Sequence, residues 1–209
     1  MRRAALALAA LGAVAVPAVA SATTYRFGSS LTAPANKIEA HPRDAIFWAN
    51  ALPNGAKFRA PAKGRIKTIK IKGSVVKRNG VTPDNRIHFQ TLRPVAGGNV
   101  KVILTTGKFY VPIGGDPNRI SSYSPVNLCV HQGDYIALHD VGGYKPGSYP
   151  NGAPFRVFSS GIAGAVTNFF SGAGANGSTF KGTAHTGEEL LMRMVEVTGQ
   201  EAGSYCNTH

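Results

Sequence analysis

Acidic side chains are scarce in this chain of 209 residues, which has 10 Asp and Glu residues against 23 Lys and Arg residues. The formal net charge is therefore +13 at pH 7. A charge of this size favours attraction to polyanions, although it carries no information about the fold. Calcium sites need several oxygen ligands close together. No dense Asp/Asn loop is present. We therefore interpret Asp134 as a structural turn residue and keep a calcium site formed by Asp134 and Asp140 as the alternative.

The motifs of common catalytic and metal centres are also missing. No G-x-S-x-G sequence is present, which argues against the nucleophile of an α/β-hydrolase. The histidines that we considered as metal ligands or bases lack the short spacing that zinc sites use. They are His88, His131, His139 and His185. We therefore predict no metal, no cofactor and no catalytic residue.

Three glutamates near the C-terminus are the candidates for paired catalytic carboxylates. Glu188 and Glu189 are adjacent, and adjacent residues of a strand point to opposite faces of the sheet. A glycosidase instead needs two carboxylates that face one cleft. We interpret Glu188, Glu189 and Glu196 as ordinary solvent-facing acids, and we predict that the protein is not an enzyme.

Long apolar stretches are missing except at the N-terminus. Two arginines precede an apolar run at residues 4–16, and small residues follow up to Ala22. This order is typical of a secretory signal peptide, and the run is shorter than the ~20 residues of a membrane span. We predict a signal peptide over residues 1–22, with cleavage before Ser21 or Thr23. The protein is then secreted, extracellular or associated with the cell surface, with no membrane span.

Only two cysteines are present, Cys129 and Cys206. An even number of cysteines in an exported chain favours a disulfide. We predict that these two residues pair and tie the C-terminal tail to the middle of the chain. Two free thiols are the alternative.

Alternation of apolar and polar residues dominates the mature sequence, and no long helical pattern is present. The strongest strands are predicted at Val100–Leu104, Tyr123–Val130, residues 135–138 and Leu190–Val197. Weaker strands are predicted at Thr24–Phe27, Ala45–Trp48, Arg65–Val76, Arg86–Leu92, Lys108–Ile113, Phe155–Phe158 and Ala165–Phe170. Turn residues recur between them. We predict one all-β domain over residues 23–209, a jelly-roll-like antiparallel β-sandwich with long Gly-rich loops.

Two local patterns lead to sharper structural predictions. Ile66 is out of phase with Ile69 and Ile71, which predicts a β-bulge or a strong twist in that strand. In the turn at residues 131–134, Gly133 supplies an unusual backbone angle and Asp134 is expected to accept backbone N–H bonds.

The segment at residues 141–187 is rich in Gly, Pro, Ser and Asn and contains no acidic residue. We interpret it as the loop-rich end of the same sandwich. Tyr144 and Tyr149 lie in its polar part and are the candidate residues for stacking against sugar rings. Trp48 is predicted to lie in the core, because large aromatic side chains dominate small cores.

Basic residues are concentrated in one run that contains no acid. Its members are Lys57, Arg59, Lys63, Arg65, Lys67, Lys70, Lys72, Lys77 and Arg78. Lys70 and Lys72 alternate with apolar residues, which predicts a strand with an apolar inner face and a cationic outer face. Such a face suits an anionic polymer. A solvated outer face that prevents edge-to-edge pairing is the alternative.

Four segments resemble a known group. They are Phe58–Gly73, Arg86–Pro94, Val126–Leu138 and Glu188–Val197, with the patterns PxxGxIxxIxIxG, LRP and VxxGDxIxL. Together they resemble uncharacterised secreted β-sandwich proteins of high-GC soil bacteria. The resemblance covers most of the mature chain and implies a jelly-roll-like sandwich and export. The group has no established activity, so no catalytic residue follows from it.

These observations predict a secreted, non-enzymatic binding or surface-associated module for carbohydrate or an anionic polymer. Its expected partner is an extracellular polysaccharide or anionic polymer. Two alternatives stay open. One is a structural protein of the cell envelope without a specific small ligand, and the other is a hydrolase with an unrecognised site.

Overall fold

The structure, a computed structural model, describes residues 21–76, 85–112, 114–142 and 154–208. Antiparallel β-strands make up most of these residues, which confirms the predicted all-β class. In chain order the strands are β1 (Thr24–Gly28), β2 (Lys37–Glu39), β3 (Ala45–Ala51), β4 (Gly64–Lys72), β5 (Ser74–Val75), β6 (Arg86–Val95), β7 (Asn99–Thr105), β8 (Phe109–Tyr110), β9 (Ile120–Tyr123), β10 (Cys129–Val130), β11 (Tyr135–Val141), β12 (Phe155–Ser160), β13 (Val166–Ser171), β14 (Thr179–Phe180), β15 (Thr183–Thr186), β16 (Glu188–Leu190) and β17 (Met192–Val197). Short 3₁₀ turns lie at Pro53–Gly55, Ala96–Gly98 and Gly199–Ala202, and a helix, α1, at Gly203–Thr208.

The strands form three sheets. The first has the order β1-β17-β4-β10, with β9 also paired to β4. The second is curled and has the order β14-β7-β6-β11-β3-β13-β15, with β8 paired to β6. The third has the order β16-β12-β2, with β5 paired to β12. Leu191 joins the first and third sheets, because its amide donates to Val157 O and its carbonyl accepts from the Lys72 amide.

The main hydrophobic core lies between the second sheet and the layer that the other two sheets form. The first sheet contributes residues such as Ile69 and Met194, and the third contributes Phe155 and Phe158. The second sheet contributes residues such as Phe89. Because the alternating apolar residues of each strand converge here, burial of this face is the driving force that holds the sheets together.

The opposite face of the curled second sheet is also filled by the chain itself. Ile46 and Trp48 of β3 pack there with Phe180 of β14. Trp48 is 1% exposed, which confirms its predicted place in a core. The segment from β13 to β15 approaches so closely that a Cβ at Gly174 would overlap Ile46, and one at Gly182 would overlap Trp48.

The predicted irregularity in β4 is a β-bulge. Val195 of β17 pairs with Thr68 and Glu196 pairs with Ile66, which leaves Lys67 without a partner in the register. One extra residue changes the phase of the strand. All three isoleucines of β4 therefore reach the core, although their sequence spacing does not alternate regularly.

Three predicted strands are interrupted in the structure. The strand predicted at 123–130 is wrong, because β9 ends at Tyr123 and β10 begins at Cys129. In the loop between them Asn127 has a positive φ of 55°, and Val126 is 77% exposed while Leu128 is buried. The strand at 65–76 breaks at Gly73, where a Cβ would overlap Arg156 O. The strand at 190–197 breaks at Leu191, between β16 and β17.

The turn at residues 131–134 forms as predicted. Gly133 has a φ of 90°, and Asp134 Oδ2 accepts the His131 amide at 2.8 Å. The sequence did not reveal the second partner of Asp134. The Arg93 guanidinium donates to both carboxylate oxygens at 2.9 Å, so the turn is fastened to β6 by a bidentate ion pair.

A disulfide joins Cys129 and Cys206, with their Cα atoms 5.2 Å apart, which confirms the predicted pairing. Cys206 is 1% exposed. The bond fastens α1 and the 3₁₀ turn before it beside β4, where the Arg65 guanidinium donates to Glu201 O at 2.9 Å. The C-terminal segment is thus held against one end of the first sheet.

Glu196 is buried beside the bulge of β4 and is fully inaccessible to solvent. Neither carboxylate oxygen has a hydrogen-bond partner of normal geometry. This burial raises the pKa of Glu196 to about 7, although the backbone at Ala62 acts in the opposite direction. The carboxyl group is therefore partly protonated at neutral pH.

Within the described residues, no helix is long and apolar enough to cross a membrane. The signal peptide predicted over residues 1–22 lies almost wholly outside the described residues and stays a prediction.

We expect the double variant Cys129→Ala/Cys206→Ala to lose about 4 kcal/mol of unfolding free energy, because the disulfide closes a long loop in the unfolded chain. The two cysteines are 77 residues apart in the sequence. Urea unfolding of the oxidised parent and of the variant measures the difference. A loss below about 1 kcal/mol would contradict this expectation.

We expect Glu196→Gln to stabilise the protein at pH 8 and to change little at pH 5. The folded pKa of about 7 lies above the unfolded value of 4.5. The protonated carboxyl therefore supports folding fully below about pH 4.5, and this support is lost as the pH rises through 7, by about 2 to 3 kcal/mol. Urea unfolding at both pH values checks this, with Glu201→Gln as the control because Glu201 has a half-exposed side chain. An equal effect of Glu196→Gln at both pH values would rule out the titration.

Candidate basic interface

Acids and bases are segregated between the interior and the surface. Six of the acids are buried, namely Glu39, Asp134, Asp140, Glu188, Glu189 and Glu196. Among the described residues, Asp116 and Glu201 are the two exposed acids. In the same part of the chain eleven bases are exposed, namely Arg26, Arg43, Lys57, Arg59, Lys63, Lys67, Arg86, Lys101, Lys108, Arg119 and Lys181. The described part of the surface therefore carries a large excess of exposed bases over exposed acids.

The interpretation of Glu188, Glu189 and Glu196 as solvent-facing acids is thus wrong. Each is at most 3% exposed. Glu188 and Glu189 do point to opposite sides of β16, as expected for adjacent strand residues. Both sides are covered, however, because β2 and β15 lie near one side and the loop after β1 lies near the other.

The first part of the basic run lies in the loop before β4. Lys57, Arg59 and Lys63 are all exposed. The Arg59 guanidinium stacks over the Tyr135 ring, 4.6 Å from its centroid, and also donates to the Tyr135 hydroxyl at 2.5 Å. Arg59 and Arg93 border one shallow pocket of about 360 Å³.

Arg65 and Lys67 contact the C-terminal segment. Arg65 donates to Glu201 O, and Lys67 Nζ lies 3.5 Å from Glu201 Oε2. The two side chains of the latter pair are 56% and 50% exposed, so solvent screens their attraction. Part of the charge of Lys67 is therefore balanced locally.

Lys70 belongs to a group of cations that the sequence did not bring together. It pairs directly with Arg193 of β17. Residues directly opposite in an antiparallel pair share one face of the sheet. Arg26 of β1 pairs with Val195 and lies on the same face, one step along the strand. We call Arg26, Lys70 and Arg193 the outer patch. The sequence predicted the outward position of Lys70, but it gave no sign that Arg26 and Arg193 lie beside it.

Lys72 is not part of the outer patch, in which Arg26 is exposed and Lys70 and Arg193 are half-buried, and this corrects the prediction. It is 8% exposed. Its Nζ donates to Leu31 O at 3.1 Å, to Thr32 O at 3.4 Å and to Ala33 O at 2.7 Å. The loop that follows β1 folds over this end of the first sheet and uses the ammonium group as its anchor. Lys72 therefore has a structural role.

The remaining predicted site residues lie outside the described residues. These are Lys77 and Arg78 of the basic run and the candidate stacking residues Tyr144 and Tyr149.

A charged cluster lies where β2, β15 and β16 approach one another. Lys37 Nζ contacts Glu39 Oε1 at 2.5 Å and also donates to Glu188 Oε2. His41 lies 3.3 Å from Glu39, and His185 lies 3.5 Å from Glu188. Burial by itself would raise the pKa of Glu39, but hydrogen bonds from His41 and Lys37 outweigh it and lower the pKa. The sequence missed Glu39, because β2 has only three residues.

His88 and His139 take part in local hydrogen bonds. His88 Nδ1 lies 2.7 Å from Thr106 O, and His139 Nε2 lies 3.2 Å from Asp44 Oδ2. Burial lowers the pKa of His139, although Asp44 acts in the opposite direction. In the part of the chain that is described, no group of three or more His, Cys, Asp or Glu side chains is arranged to hold a metal ion.

Asp134 and Asp140 do not form a common calcium site. They lie at opposite ends of β11. The rise per residue of an extended strand places them about 20 Å apart. Asp134 is bound to Arg93, and Asp140 is 1% exposed. Burial, followed by the nearby charge of Asp44, raises the pKa of Asp140 well above its usual value, which favours the neutral acid.

We expect Lys72→Met to lower the unfolding free energy by about 2 kcal/mol, because one buried and two partly buried carbonyl groups would lose a charged donor. Lys70→Met on the same strand face is the matched control and should change stability by less than about 0.5 kcal/mol. Urea unfolding measures both. Equal effects of the two substitutions would contradict the anchoring role of Lys72.

Comparison with protein-family models, with curated proteins and with solved structures gives no match to this chain. The resemblance to secreted proteins of soil bacteria therefore stays a prediction, and functional inference rests on the geometry of the site.

Proposed function

We propose that this protein is a secreted, non-enzymatic module that binds an anionic extracellular polymer through its basic surface. The observation that carries the proposal is the segregation of charge, in which six acids are buried while eleven bases are exposed. A surface on which exposed bases outnumber exposed acids attracts polyanions.

The outer patch is the part of the surface where the arrangement is most favourable. Lys70 and Arg193 are half-buried and pair directly across strands that lie about 4.8 Å apart, so their charges lie side by side. Arg26 extends the row across β17 to β1. A row of cations across three strands suits a ligand whose negative charges repeat along a chain. A small single anion would use only part of it.

The contacts of the buried acids favour a binding protein over an enzyme. Glu39 and Glu188 converge, but Lys37 lies between their carboxylate oxygens. A general acid and base pair has to reach a substrate, whereas these groups are engaged with each other and with the neighbouring histidines. We therefore assign this cluster to the stability of the sheet junction.

We expect the mature protein to bind double-stranded DNA and polygalacturonate, used as polyanion probes, with an affinity that falls steeply as salt is added. Displaced counterions cause this dependence. The variant Arg26→Gln/Lys70→Gln/Arg193→Gln should bind more weakly. For DNA, its slope of log K against log salt should fall by roughly 0.9 for each phosphate that the variant no longer neutralises. Fluorescence anisotropy over a salt series measures both quantities.

The matched control is Arg43→Gln/Lys108→Gln/Lys181→Gln, which removes the same charge from exposed positions outside the first sheet. It should keep most of the affinity. Equal reductions of affinity in the two triple variants would refute a local site at the outer patch. A parent protein that binds neither probe at low ionic strength would refute the proposed function.

A further inference from the structure

A pocket of about 470 Å³ opens on the outer side of the layer formed by the first and third sheets. The loop after β1 forms one wall, with Ser30 and Thr32. The turn at Pro53–Gly55 forms another, with Asn54. Glu189 of β16 lines it as well. Its volume lies within the range of about 300 to 1,000 Å³ that is usual for small-ligand sites.

Glu189 is the unusual member of this pocket. The residue is 3% exposed. Among the described residues its carboxylate has no hydrogen-bond or ion-pair partner, in contrast to the adjacent Glu188, which contacts Lys37 and His185. The Glu189 oxygens are not fully inaccessible, in contrast to Glu188 Oε1, so solvent or a ligand in the pocket can satisfy them. The fold therefore maintains an acceptor that lines a preformed pocket.

The wall opposite this acceptor is held in place by several contacts. Ser29 Oγ accepts the Leu31 amide at 2.9 Å, and the Ser30 and Thr32 hydroxyl groups bond to each other at 2.7 Å. The Lys72 ammonium fixes the same loop from below. A wall that is already ordered reduces the entropy that binding costs.

We propose that this pocket binds a saccharide unit, with Glu189 accepting hydrogen bonds from its hydroxyl groups. A sugar hydroxyl both donates and accepts. The pocket offers a carboxylate acceptor together with hydroxyl groups and the Asn54 amide, which can donate. A primary ammonium ligand would satisfy Glu189 but would leave those donors unmatched, because it has no acceptor.

The pocket adjoins the outer patch, since Arg193 Nη1 lies 3.5 Å from Ser30 O. An anionic polysaccharide can therefore contact both with neighbouring units, and this extension rests on the proposed function. Binding of a neutral sugar in the pocket does not rest on it. The two sites differ in salt dependence, because hydrogen bonds to a neutral sugar release no counterions.

The test uses neutral disaccharides as probes, namely cellobiose, maltose and lactose, with the mature protein in about 0.5 M NaCl, where distant charge interactions are screened. Amide NMR shifts should change at the loop after β1 and at the turn that contains Asn54. Glu189→Gln should weaken binding by about tenfold or more, because the charged acceptor is replaced by a neutral one. Glu201→Gln is the matched control and should bind as the parent does.

A second variant keeps the proposal testable if Glu189→Gln unfolds. Asn54 has a φ of 56°, and Asn54→Gly keeps this backbone conformation while it removes the amide. It should also weaken binding. The proposal is overturned if none of the disaccharides shifts these amides, if Glu189→Gln and Asn54→Gly both bind as the parent does, or if ethylammonium chloride shifts them and the sugars do not. Loss of DNA binding in the outer-patch variant with sugar binding retained would separate the two sites.

Discussion

Strand β4 pairs with β17 from Arg65 to Ile71, and most features of the molecule depend on this pairing. On the inner side it buries Ile69 and Ile71 against Met192 and Met194. On the outer side the same register places Lys70 beside a second cation. One step further along β4, Lys72 lies beneath the loop that forms the pocket wall. The bulge at Lys67 keeps these two sides in phase, because without it Ile66 would face solvent.

The burial of so many acids is the second constraint, and it links stability to function. A carboxylate that leaves water needs a cation or several donors. The fold supplies Lys37 for Glu188 and Arg93 for Asp134. Glu196 receives no such partner and shifts its pKa instead. Because these acids are buried in the interior, the described surface has a strong excess of positive charge. This excess is the basis of the proposed polymer binding.

The features predicted correctly from the sequence depend on residues that are close together in the chain, or on a choice among few possible structures. Alternation predicted the all-β class and most strands, the phase of Ile66 predicted the bulge, and two cysteines allow only one intramolecular pair. The burial of Glu189 and Lys72 was not predictable in this way. It depends on the loop after β1, which is distant in sequence and has no regular pattern. The outer patch was missed for a similar reason, since its cations come from three strands and only the register shows that they are neighbours.

The position of the loop after β1 explains why the outer patch and the pocket lie side by side. Lys72 attracts three carbonyl groups of this loop and so fixes where the loop crosses the sheet. Beyond this crossing the sheet face stays open and carries Lys70 with its neighbouring cations. On the other side of the loop, the gap above β16 leaves the Glu189 carboxylate accessible to a ligand but shielded from most of the solvent. A single buried lysine thus fixes the boundary between the outer patch and the pocket that contains Glu189, and the proposed ligand, a chain of charged sugar units, would contact both.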